Sequence, residues 1–254
     1  MSLVLLLNFG WLYTYSTLNM KTATKEDYQR LIDIGQSMLK NTHERWHEIP
    51  VERLPVARFG QGSDALFVAV GHLMLGESKQ ARDWFAIAGQ FFLEASKPPD
   101  SVTSEKRALE CALFSGDREF QEKVARQILP REGSVKPVEY PYVMFLKHEI
   151  LNEQIEVPAF VDDTAWLSRL TMKKRGGYGT LQDACQALAG RQSNGFAAAL
   201  EALLQEHKWK AAQGGTKMPD GMVCFPGAAL LILARRQGIN VHVASPFIPV
   251  ALLE

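Results

Sequence analysis

The stretch FPGAALLILARR at residues 225–236 is apolar on nearly every side. A helix at a protein surface keeps one polar face, so a helix without one has to be surrounded by other elements. This segment is therefore expected in the middle of a helical bundle. Arg235 and Arg236 suit the negative end of its dipole, and Gly238 is a natural residue just past its end. The rest of the chain must supply what covers it.

Those covering elements read as helices. After Ser78, the residues Ala81, Trp84, Phe85, Ala88, Phe91, Phe92 and Ala95 fall on one face of a 3.6-residue helix. Ser78 is its expected N-cap and Pro98-Pro99 its stop. Ala108, Leu109, Ala112 and Leu113 mark a second helix, broken at Ser115-Gly116-Asp117. Asp117 is placed to cap a third, with Phe120, Val124, Ala125, Ile128 and Leu129 facing inward and Pro130 ending it. Tyr142, Phe145, Leu146 and Ile150 predict another, and so do Phe160, Trp166, Leu167 and Leu170 after Pro158. Thr180 with Asp183 makes a capping-box pattern before an Ala/Leu run that Gly190 ends. Phe196, Leu200, Leu203, Leu204 and His207 form a stripe on a helix that Ser193 can cap. Strand signals are scarce. INVHV at 239–243 alternates apolar and polar and suggests a short extended segment, and SPFIPVALL, with two prolines, a loop or short turn over the core. Residues 130–141 and 211–222, rich in Gly, Pro and charge, read as loops.

A helix, a Gly-containing turn and a second helix recur at HLMLGESKQARDW, CALFSGDREFQEK and CQALAGRQSNGFAAA. The turn glycines are Gly76, Gly116 and Gly190. The fold class expected is all-α, an irregular stack of αα-hairpins resembling a helical repeat, with a short extended C-terminal segment. The tetratricopeptide pattern is not met.

Composition removes several function classes. The 254 residues are 46% hydrophobic and 22% charged, which excludes a disordered, collagen-like or many-spanning membrane protein. A chain of this length buries enough surface to fold without disulfide or metal. Lys+Arg and Asp+Glu are 28 each, so the basic excess of a nucleic-acid binder is missing. Cys111, Cys185 and Cys224 are far apart and lie in apolar runs, as buried free thiols of a reducing cytoplasm would. The apolar run LVLLLNFGWLYTYSTL at 3–18 has no preceding Lys or Arg and no small-residue cleavage site. It is also short for a membrane span and is broken by Asn8, Thr14, Tyr15 and Ser16. Residues 1–20 are expected to be a tail or an over-extended start, with an uncleaved anchor as the alternative. Residues 21–254 are expected to form a single all-α domain.

Each motif with chemical potential has a plainer structural explanation. His43-Glu44-Arg45-Trp46-His47 matches H-E-x-x-H, whose two histidines share a helix face and bind zinc while the Glu polarises water. Here Arg45 and Glu48 are charged and Pro50 follows closely, as at a solvated helix end. Gly60-Gln61-Gly62-Ser63-Asp64-Ala65 has dinucleotide-loop spacing but no preceding buried strand. A flexible loop offering Ser63 or Asp64 as an N-cap is expected instead. Gly176-Gly177-Tyr178-Gly179 after Lys173, Lys174 and Arg175 reads as a basic turn, and Asp162-Asp163 as capping residues. His72, His148, His207 and His242 stand singly. No catalytic, cofactor-binding or metal-binding residue is singled out, and no cofactor is expected.

Three segments, ACQALAGRQSNGFAAALEALLQEHKWK, FPGAALLILARRQGINV and SPFIPVALL, follow one another in an order that resembles the immunity protein 49 family of bacterial polymorphic toxin systems. The resemblance covers about residues 180–254, with looser support from the hairpins at 64–129. It implies a mainly all-α protein that protects a cell from a toxin encoded next door, acts by binding and not as an enzyme, and works in the cytoplasm. The partner it implies is the cognate toxin protein, with no nucleic acid and no membrane. The alternatives are a helical-repeat scaffold or peptide-binding adaptor, and a zinc hydrolase using His43, Glu44 and His47.

Overall fold

The computed structural model describes residues 23–96, 102–130, 139–153, 172–213 and 218–253, with only the backbone of 172–178. The apolar run at 3–18, Pro98-Pro99, Asp162-Asp163 and the expected helix around Phe160 and Trp166 lie outside the described residues. Described are helices α1 (Lys25–Glu44), α2 (Leu54–Met74), α3 (Ser78–Ala95), α4 (Val102–Ser115), α5 (Arg118–Gln127) and α6 (Glu139–Leu151). They continue with α7 (Met172–Ala189), α8 (Ser193–Ala212), the short α9 (Pro219–Met222) and α10 (Phe225–Arg236). No strand occurs among the described residues. The fold is all-α, as expected, and consecutive helices stack as hairpins: α1 on α2, α2 on α3, α3 on α4, and α7 on α8.

Helix α10 lies at the centre. It touches α4, α7 and α8, and Phe225, Ala228, Ala229, Leu230, Leu231, Leu233 and Ala234 are all buried. An aromatic column joins it to the front hairpins. Phe85 of α3 meets Phe114 of α4 edge-on at 5.3 Å between ring centroids, and Phe114 meets Phe225 at 5.7 Å. Such pairs add about 0.5–1.5 kcal/mol beyond their buried area. The hairpin turns need a left-handed residue. Gly76 and Gly116 supply it at φ 81° and 74°, whereas in the third hairpin Arg191, at φ 52°, takes the role expected of Gly190. Asp117 caps α5 as its spacing predicts, accepting from the Phe120 N–H at 3.0 Å.

Several local expectations are corrected. Residues 60–65 are not a loop but the middle of α2. Gly62 sits there because a Cβ would lie 2.8–2.9 Å from the Phe92 ring, so it marks helix contact and not a turn. Thr180 and Asp183 lie inside α7, and Gly176–Gly179 are helical and not a turn. Helix α8 ends at Ala212 and α9 begins at Pro219, so the expected loop at 211–222 is shorter than its composition suggests. Ser78 and Ser193 are first helical residues; Glu77 and Gln192 precede them without a side-chain cap bond. Helix α5 stops at Gln127, before Pro130, which leaves Leu129 outward and 69% exposed. Helix α1 was not marked by any strong apolar run. It adheres through close approach: a Cβ at Gly71 would fall 2.5 Å from Ile32 Cγ1 and 2.9 Å from the Tyr28 carbonyl.

Two predictions follow from α2. Gly71→Ala should lower unfolding free energy in urea titration by about 1–3 kcal/mol through overpacking. Gly60→Ala, where a Cβ meets nothing within 4 Å, should raise it by roughly 0.5–1 kcal/mol through helix propensity; equal losses at both sites would refute the close-approach account. Asp64 is half-buried without a hydrogen-bond or ion-pair partner among the described residues, and burial raises its pKa from 3.8 to about 6. A raised carboxyl favours folding while protonated, so stability declines as pH climbs from 3.8 through about 6. Asp64→Asn should therefore be the more stable protein above about pH 7, an advantage that vanishes below about pH 4 in pH-dependent urea melts.

Candidate functional site

The surface next to α10 carries two recesses. The larger is a groove of about 670 Å³ between α8 and the residues that follow α10. One wall is the α8 face bearing Ala197, Glu201, Leu204, Gln205 and Lys208, spaced so that they share a side of the helix. The opposite wall is the chain at 241–247. This wall is anchored at its base. The Cys224 N–H donates to the Phe247 carbonyl at 2.8 Å, and the His207 ring stands edge-on to Phe247 at 4.8 Å. Burial lowers the pKa of His207, so the ring is neutral near pH 7 and packs as an aromatic.

The second recess, about 370 Å³, lies at the C-terminal end of α10. Arg82 of α3 and Arg235 and Arg236 of α10 line it together with Leu252 and Leu253. Arg235 donates to the Leu253 carbonyl at 2.8 Å and so holds the end of the chain against the bundle. Burial, with Arg118 nearby, lowers the pKa of Arg236. Both arginines fit the dipole role that their place in the sequence implies.

An ionic cluster around the buried Glu110 holds α9 and α10 to the front hairpins. The Arg107 guanidinium on α4 donates to Glu110 at 3.0 Å and to Asp220 of α9. Its face lies 4.6 Å from the centre of the Phe225 ring. The Tyr142 hydroxyl of α6 donates to the second oxygen of Glu110 at 3.3 Å. Glu110 is fully buried, and desolvation raises its pKa against the pull of Arg107. Desolvation alone would lower Arg107, but Glu110 and Asp220 outweigh it and raise the pKa. No motif announced this cluster. Arg107 and Glu110 lie three residues apart on one helix, but Asp220 and Phe225 reach them only through the tertiary fold.

The residues with apparent chemical promise are not brought together. Helix α1 ends at Glu44, and Trp46–Glu48 form a separate 3-10 turn after Arg45. His43 and His47 are therefore not on one continuous helix, and both are exposed. Glu44 pairs with Lys40 at 3.9 Å, and Arg45 with Glu48 at 2.7 Å. No group of three or more His, Cys, Asp or Glu that could hold a metal ion exists among the described residues. His72 pairs with Glu77, and His148 with Glu153 at 2.7 Å. Cys111, Cys185 and Cys224 are free and buried, as expected. Burial raises all three thiols, Cys224 to about 12, which keeps them protonated and unreactive. No helix among the described residues is long and apolar enough to cross a membrane.

Removing Arg107 leaves the Glu110 carboxylate buried without its counter-charge. Arg107→Ala should cost about 3–5 kcal/mol in urea unfolding. A loss below about 1 kcal/mol would show that the cluster does not tie these helices together.

Neither a curated protein nor a solved structure matches the chain. Residues 163–252 match the model of the family described as Immunity protein 49. That stretch contains α7 through α10, and it includes the three segments that carry the resemblance in the sequence except for the last residue, Leu253. The match, which covers less than half of the chain, supports the resemblance to the immunity protein 49 family.

Proposed function

We propose that this chain is an immunity protein that binds a cognate bacterial toxin and holds it inactive. It acts in the cytoplasm, by association and without catalysis of its own, and residues 21–254 work as one all-α domain. The observation that carries this reading is the position of the family match. Residues 163–252 include both walls of the groove, and Ile232, Arg235, Arg236 and Leu252 of the arginine recess. An inhibitor of this kind needs a preformed complementary face of about 800 Å² per partner, not a reactive centre. A packed helical stack supplies the rigidity that such a face requires, since little ordering entropy is then lost on binding. Arginine is favoured where binding energy concentrates, and the described surface offers Arg235 and Arg236 at the rim of one recess.

The groove gives one further reading some support, that of a helical scaffold or adaptor that binds a peptide in the same place. A single experiment separates the two. The chain is co-expressed with the toxin domain encoded beside its gene. The immunity reading predicts that growth is restored and that the two proteins purify together. Rescue from no adjacent toxin, with stable capture of an unrelated peptide in the groove, would favour the adaptor.

A further inference from the structure

We propose that residues 240–245 form an open β-edge on which an extended segment of the toxin pairs backbone to backbone, lying in the groove beside α8. The inference rests on the immunity reading and specifies the contact through which it operates. The segment INVHVAS takes up no helix or turn and has no strand beside it among the described residues. Its burial alternates: Ile239 is buried and Val241, Val243 and Ser245 are partly buried, while Asn240, His242, Ala244 and Pro246 are exposed. This is the pattern of a strand with one face on a core.

Its backbone is held only at the ends. The Ile239 N–H donates to the Ala234 carbonyl at 2.9 Å. Beyond the segment, the Phe247 carbonyl accepts from Cys224 at 2.8 Å and the Ser245 carbonyl accepts from Ile248 at 3.2 Å. Between these anchors, the N–H groups of residues 240–245 and the carbonyls of 240–244 have no hydrogen-bond partner among the described residues. A strand pinned at both ends keeps its shape with these groups free, and such an edge is a template for a second strand.

Exposed edges are normally blunted by charge, by a proline within them or by a bulge. None of residues 240–245 is charged, and Pro246 stands only at the far end. The groove has matching dimensions. Six extended residues span about 20 Å, and α8 from Ala197 to Lys208 runs about 17 Å. Leu204, Val243 and Phe247 give it apolar lining, while Glu201 and Lys208 contribute opposite charges. The net charge of the walls selects no ionic ligand, which leaves the backbone to provide the recognition. The occupant is therefore an uncharged extended polypeptide stretch of five or six residues.

The test is amide hydrogen exchange on the full chain, alone and with a catalytically inactivated form of the toxin domain encoded beside its gene. The amides of residues 240–245 should exchange fast in the free protein, and every second one of them at least tenfold more slowly in the complex. Amides of an extended chain alternate between its two edges. Of His242→Pro and Val243→Pro, one should therefore weaken toxin binding at least tenfold and the other little. Thermal unfolding of His242→Pro should stay close to that of the parent protein, because the His242 side chain is exposed and its N–H bonds to nothing among the described residues. A complex that forms with unchanged exchange at 240–245 would overturn the β-edge and leave the immunity reading standing. Absence of any complex would overturn the immunity reading, and the edge with it. Protection at 240–245 in a self-associated free chain would assign the edge to a second copy and overturn the toxin as its occupant.

Discussion

A helix apolar on every side has to be covered on every side, and α10 imposes that requirement on the whole structure. Its burial draws α4, α7 and α8 around it, and the Phe85–Phe114–Phe225 column extends the contact to the front hairpin. Once α10 is enclosed, the chain after Gly238 runs over the bundle and sends only Ile239, Phe247, Ile248 and Leu252 into its core. The groove and the arginine recess are both consequences of that path. They lie where the C-terminal chain crosses helices already committed to burying their neighbour.

Charge is used inside this protein for assembly. Arg107 collects Glu110 and Asp220, lies against Phe225, and so joins α4, α9 and α10. A buried pair of this kind contributes little net stability compared with apolar packing, but it is costly to disrupt. It sets the register in which the family-matched C-terminal helices dock on the N-terminal hairpins. The titratable groups near it have environments that suppress reactivity, with thiols held protonated and His207 held neutral.

What the sequence reveals depends on how local the cause is. Central burial of 225–236 is legible because a single segment lacks a polar face. Asp117 is legible because capping involves only three residues. Gly60 and Gly62 mislead because glycine has two uses, freedom of backbone angle and absence of a Cβ, and here Gly62 serves close packing on Phe92. Thr180 and Asp183 have capping-box spacing, yet they lie within α7, where helix continuity overrides the local pattern. H-E-x-x-H spacing at 43–47 implies one helix, but α1 stops at Glu44 and the chain tightens into a 3-10 turn. The alternation at 239–243 does predict an extended chain. That no strand lies beside it among the described residues, and that a groove runs beside it, are tertiary facts with no trace in the local sequence.

The central claim is that the molecule acts by presenting a preformed surface to a protein partner. Isothermal titration of the purified full chain with the inactivated neighbouring toxin domain tests it most directly. The account predicts a one-to-one complex with a dissociation constant near or below the micromolar range and a negative heat-capacity change from buried apolar surface. No heat of binding at micromolar concentrations, or toxin inhibition that continues while the two proteins remain unassociated, would contradict it.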